Sequence, residues 1–159
     1  MAPTYTENDI QIVGDAVSYI RTHSDRFFNG DATGPRLASH LVECLILLDT
    51  GSVRIERYGT WYSISAEKDW LAFGNDGVSF EVFHRFIPMP SGGLLFDRGE
   101  VFLTALADAV VTSGSDGTNW VSGDGAVWKL PGELALLLPP KRGRIIAFHH
   151  SKFSAVQSA

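Results

Sequence analysis

His40 and Cys44 stand four residues apart in the run His40-Leu41-Val42-Glu43-Cys44. On a helix, that spacing puts an imidazole and a thiol on one face, where both can point at one metal ion. Glu43 adds a carboxylate, so His40, Glu43 and Cys44 form the candidate metal set. The competing reading is plainer: a lone cysteine is usually a small buried apolar residue, and His40 then belongs to the helix surface. The plainer reading is adopted, so neither a metal nor a cofactor is expected.

The other chemical groups are more scattered. A histidine in place of Cys44 would complete the H-x-x-E-H pattern of inverted zinc peptidases. The chain departs from that pattern at a ligand position, and no helical glutamate ligand is evident downstream. His84 lies in an apolar run with Phe80 and Phe86. Histidine titrates near neutrality but needs an acid or nucleophile partner to act as a base. Asp69, Asp97, Asp108 and Glu133 are available in sequence, yet a core or rim histidine is the preferred reading. His149 and His150 are neighbours on an expected strand; they point to opposite faces and cannot share one metal in regular geometry. The segment Ser113-Gly114-Ser115-Asp116-Gly117 is the nearest approach to a G-x-S-x-G nucleophile turn. It lacks the first glycine and reads as a loop. Ser91-Gly92-Gly93 is followed by no phosphate-binding lysine. Asp116, Asn119 and Asp124 do not match the spacing of an EF-hand.

Surface chemistry is the remaining possibility. Arg54, Arg57, Tyr58 and Trp61 cluster about a first expected hairpin, and Asn119 with Trp120 about a second. Arg, Tyr and Trp are the side chains that anchor protein interfaces. These six residues are therefore the candidate partner-binding set, against the alternative of cross-strand packing within the sheet. The basic run Lys141-Arg142-Gly143-Arg144 reads as a solvated loop before a strand.

These side chains must be positioned by a chain of 159 residues, enough for one domain with a proper core. An apolar content of 45% against 19% charged residues excludes a disordered chain. Four Trp, four Tyr and ten Phe should dominate the packing. The formal charge of −5 argues against nucleic acid and fits a basic partner. A single cysteine permits no disulfide within the chain and suits a reducing compartment. The N-terminus lacks a basic region followed by an apolar run, and no apolar stretch approaches a membrane span. A cytoplasmic protein without membrane contact is expected.

The first helix is expected after Thr6, with Ile10, Val13, Val17 and Ile20 on one face and Asn29-Gly30 as its stop. Pro35 opens a second, whose core face is Leu37, Leu41, Cys44, Leu45 and Leu48. Ser52–Tyr58 and Trp61–Ala66 alternate about Gly59-Thr60 as a hairpin. Glu67–Phe73 reads as a helical turn or a loop. Val78–Ile87 reads as the clearest strand, after a turn at Asn75-Asp76-Gly77 and before Pro88 and Pro90. Asp97 and Glu100 resemble a capping box for a third helix through Thr112. Gly123-Asp124-Gly125 is expected to turn a second hairpin carrying Trp120 and Trp128. Leu134–Leu138 reads equally as strand or helix. Arg144–His150 reads as a last strand, with a frayed tail from about residue 151.

This order predicts a single α+β domain: a mostly antiparallel sheet of about five to six strands, with about three helices packed mainly on one face. The functional expectation is a non-enzymatic protein-binding domain, in its sharpest form an inhibitor or immunity-type partner of a basic protein. The alternatives are a small metal-dependent or His/carboxylate enzyme and a small-ligand-binding domain.

Overall fold

The computed structural model of the chain describes residues 15–28, 30–73, 77–89 and 97–152. The helix opened by Pro35 runs Gly34–Leu47 (α3). The Thr33 hydroxyl caps it by accepting from the Arg36 N–H at 3.4 Å. Leu37, Leu41, Cys44 and Leu45 recur at helical spacing and are buried, as expected. Gly34 is required where it stands, because a Cβ there would collide with the Tyr62 ring. Before α3 come two short helices, Ala16–Thr22 (α1) and Ser24–Phe27 (α2). The Asp15 carboxylate caps α1 by accepting from the Ser18 N–H at 2.8 Å. The expected start after Thr6, with Ile10 and Val13, falls outside the described residues. So do Asn75-Asp76, Ser91-Gly92-Gly93 and the tail beyond Lys152.

The fold is α+β around one antiparallel sheet. Its strands are Val53–Tyr58 (β1), Trp61–Ala66 (β2), Ala109–Gly114 (β3), Gly117–Ser122 (β4) and Arg144–His149 (β5). Their spatial order is β1-β2-β5-β3-β4. Composition explains that order. Ile145-Ile146-Ala147-Phe148 and Ala109-Val110-Val111 are unbroken apolar runs, suited to strands covered on both faces. They occupy the interior, while the charged β1 and the polar β4 take the edges.

One face of the sheet carries Tyr62, Ile64, Val110, Ile146 and Phe148, packed with α1, α3 and the helix Glu100–Leu106 (α4). Tyr62 stacks on Phe148 with ring centroids 5.1 Å apart. The opposite face carries Trp61, Ala109, Val111 and Ala147. The segment from Gly123 to Gly143 roofs that face, anchored by the buried Leu134 of a short helix, Gly132–Ala135 (α5), beside Trp128 and Leu130. The longer helices thus share one face, as expected.

Several elements differ from the sequence reading. Val78–Ile87 is not a strand. Glu81–Phe83 forms a 3-10 turn, and the adjacent Val82 and Phe83 are both buried against the helical side of the core. Burial of neighbours breaks two-fold alternation, so packing overrides the apparent β pattern. His84 is consequently exposed, and Pro88 makes only an isolated bridge to Asp97. The third helix ends at Leu106, not Thr112. The Val110-Val111-Thr112 run is β-branched and continues as β3. Asp97 is not its cap: Gly99 holds the N-cap position, and Glu100 turns inward to Arg98. The second hairpin turns at Ser115-Asp116, and Gly123–Gly125 instead folds the roof back over the sheet.

The basic run is also only partly solvated. Lys141 and Arg142 are exposed, but Arg144 is fully buried. Asp69 accepts from its Nε at 2.7 Å and its Nη2 at 2.9 Å, Asp116 accepts from Nη2 at 2.5 Å, and the Thr112 hydroxyl accepts from Nη1 at 2.9 Å.

Candidate functional site

The six candidate partner-binding residues do not form one patch. Trp61 and Ala109 both pair with His149, so β2 and β3 begin at the same end of the sheet. The turns at Gly59-Thr60 and Ser115-Asp116 therefore lie at opposite ends. β1 and β4 are opposite edges. Arg54 and Arg57 are exposed; Arg54 and Tyr58 belong to the roofed face and Arg57 to the helical one. Asn119 is half-buried and donates to Asp116 at 3.4 Å. Trp61 is 5% exposed and meets Trp120 and Trp128 edge-on at 6.1 and 6.4 Å. Its indole fills the core beneath the roof, which is the cross-strand packing alternative, and it is not available to a partner.

What the surface does offer lies on the roof itself. Leu134 points inward, whereas Val127, Leu136 and Leu137 are exposed, Leu136 at 87%. Glu133 is exposed beside them. It acts with Glu56 on Tyr58, whose hydroxyl donates to the Glu56 carboxylate; that bond, then desolvation, pushes the phenol up to about 12. The roof thus exposes apolar side chains together with charges of both signs, Glu133 toward β1 and also Asp124, Lys129, Lys141 and Arg142. The leucine run Leu134–Leu138 was the sequence signal for it, but periodicity could not say which leucines faced out.

Comparison with protein-family models, curated proteins and solved structures returned no match.

One constellation was missed from sequence. His149 Nε2 lies 2.7 Å from the Thr60 hydroxyl, and its Nδ1 lies 2.9 Å from Asp108 Oδ2. A hydroxyl, an imidazole and a carboxylate in that order can activate a nucleophile. In sequence Asp108 is one of four acidic candidates for His84, and no spacing points to His149. The cluster sits on an exposed sheet end, with the Asp108 side chain 39% accessible. Its surroundings are backbone joints: Ser151 N–H donates to Asp108 at 3.1 Å, His150 N–H to the Thr60 carbonyl at 3.0 Å, and Asp108 N–H to the His149 carbonyl at 2.8 Å. The His149 ring packs against Trp128 and Trp61 at 4.7 and 5.5 Å. The arrangement knots the first hairpin turn, the end of β5 and the entry to β3.

His40 and Cys44 do share a face of α3. A Cβ on Gly99 would stand 3.1 Å from His40 Nδ1 and 3.5 Å from Cys44 Sγ. Burial, reinforced by the Glu100 carboxylate, pushes the Cys44 thiol up to about 12. Burial also lowers the His40 pKa, and its ring packs edge-on against Phe102 and Phe28 at 5.1 and 5.8 Å. Among the described residues no three His, Cys, Asp or Glu side chains are grouped to hold a metal. His40 also borders a depression of about 370 Å³ with Phe28, Arg36 and Ser39, near the lower size of small-ligand pockets.

Among the described residues no helix is long and apolar enough to cross a membrane.

Proposed function

We propose that this protein is a non-enzymatic, cytoplasmic binding domain that docks a basic protein on the roof over its sheet. The observation that carries this reading is the bare outer side of the roof. Leu134 anchors the segment in the core, while Val127, Leu136 and Leu137 of the same segment stand in solvent. Exposed apolar side chains standing among charged ones suit a partner surface with an apolar centre. The net charge of −5, with Glu133 on the roof, supplies the attraction to a basic partner. Inhibition by occlusion, as in an immunity-type protein, is the sharpest form of the reading.

Affinity capture from native lysate with wild-type and Leu136→Asp baits tests it. Burying one leucine contributes about 1.5–3 kcal/mol, so the variant should lose at least about tenfold in affinity. A basic protein held stoichiometrically by the wild type and lost by the variant supports the proposal. Equal capture by both baits, or capture by neither, rejects it.

The Thr60–His149–Asp108 geometry favours a second reading, a hydrolase with a hydroxyl nucleophile. Turnover of activated esters that vanishes in Thr60→Val and survives in Leu136→Asp would select it over docking.

A further inference from the structure

Among the described residues β1 is an edge strand, and it pairs with β2 through all six residues without a bulge. The other edge is less regular, since the β3–β4 register shifts between Val110 and Val111. β1 and β2 meet at a two-residue turn in which Gly59 has φ +64°, a value that favours glycine. The Thr60 carbonyl accepts from His150 N–H and therefore faces β5. Backbone groups alternate sides along a strand, so Trp61, Ser63 and Ser65 address β1. Their register partners Tyr58, Glu56 and Arg54 address β2 in return. Val53, Ile55 and Arg57 accordingly direct their N–H and C=O groups to the outer edge of the sheet.

We infer that a second copy of this chain pairs antiparallel along β1, with the two-fold axis at Ile55, joining two five-stranded sheets into one. Of the three residues whose backbone groups face outward, Ile55 is the one about which all three find partners within β1. Centred on Ile55, the residues whose backbone groups face outward meet one another: Ile55 meets Ile55, and Val53 meets Arg57. Arg54 then lies opposite Glu56 of the second copy, twice, on the roofed face. Centring on Glu56 would set two glutamates opposite each other and would need backbone groups that already face β2.

The side chains match this pairing. Ile55 is 51% exposed on the helical face, and its symmetry mate would cover it. Arg54 is exposed and lies only 3.6 Å from Glu56 of its own strand. Charged residues on an edge ordinarily guard against pairing. Here the signs alternate about Ile55, so they attract an identical strand. Two six-residue strands bury less than the roughly 1,200 Å² of a standard interface, so the dimer is a weak one.

Sedimentation velocity of the full chain from about 5 to 500 µM, a range that brackets a weak interface, tests the inference. Wild type should shift from one to two chain masses across that range. R54E sets two glutamates opposite each other across the axis, and E56R sets two arginines there. Each variant alone should dimerise about tenfold more weakly, because like charges in directly opposed cross-strand positions repel. Mixed one to one, R54E and E56R regain two opposite-charge pairs and should associate as strongly as wild type. That rescue also proves that both variants fold. Ile55→Pro should stay monomeric, since proline removes an outward N–H. A wild type that is monomeric throughout overturns the inference. So does a dimer unmoved by R54E and E56R, or a mixture no stronger than its parts.

Discussion

Asp116, in the turn between β3 and β4, holds the guanidinium of Arg144, at the start of β5, at 2.5 Å, while Asp69 grips the same group from beyond β2. One buried cation therefore joins three parts of the sheet that are remote in sequence.

Removing that cation should be severe. Arg144→Met strands two partly buried carboxylates, and breaking a buried ion pair costs about 3–5 kcal/mol. The Asp116 side chain is 27% exposed, so Asp116→Asn should cost about 1 kcal/mol. Urea midpoints of the two variants check the order. Equal losses would mean that Asp116, not Asp69, carries the clamp.

A second buried pair allows a double-mutant comparison. Arg98 contacts Glu100, whose side chain is wholly inaccessible and whose carboxyl burial pushes upward against the nearby guanidinium. Arg98→Met should cost about 3–5 kcal/mol, because it leaves that buried carboxylate without its cation. Arg98→Met with Glu100→Met should recover most of the loss, as apolar replacements of buried pairs often do. A double variant as unstable as the single one would show that the pair sets local structure beyond its charges.

Cys44 should be chemically silent in the folded protein. Its thiol is buried and raised to about 12, so the nucleophilic thiolate is scarce near neutrality. Iodoacetamide at pH 8 should label it only after urea unfolding. Native labelling at the rate of a free thiol would contradict the packing described here.

Acid should weaken the fold through two histidines. Burial lowers the pKa of both His40 and His150. The unfolded chain then binds protons more readily, so stability is full above about pH 6.5 and falls as pH drops below that value toward the folded-state pKa. Each histidine contributes at most about 1.4 kcal/mol per pH unit of decline. Urea midpoints measured from pH 8 to pH 5 should show this fall, and His40→Gln should flatten it. A midpoint that rises on acidification would reverse the sign.

Local signals carried much of the fold. The helix at Pro35, the first hairpin and the last strand follow from period, proline and glycine. Val78–Ile87 misled because its alternation was real in sequence, yet the core took neighbouring Val82 and Phe83 together. Arg144 misled because a burial this deep depends on Asp69 and Asp116, which lie 75 and 28 residues away. The candidate site suffered from the same limit. Trp61 has interface chemistry, but Trp120 and Trp128 close over it, and neither contact is local. His149, Asp108 and Thr60 meet only because β5 enters the middle of the sheet.

Site-specific photo-crosslinking in cells tests the docking proposal most directly. A photoreactive side chain replaces Leu136 or Val127 on the roof, or Ile46 near the end of α3, which is also exposed. The account predicts one dominant adduct with a basic protein from positions 136 and 127, and none from 46. Adducts from 46 without any from 136 and 127 would contradict it.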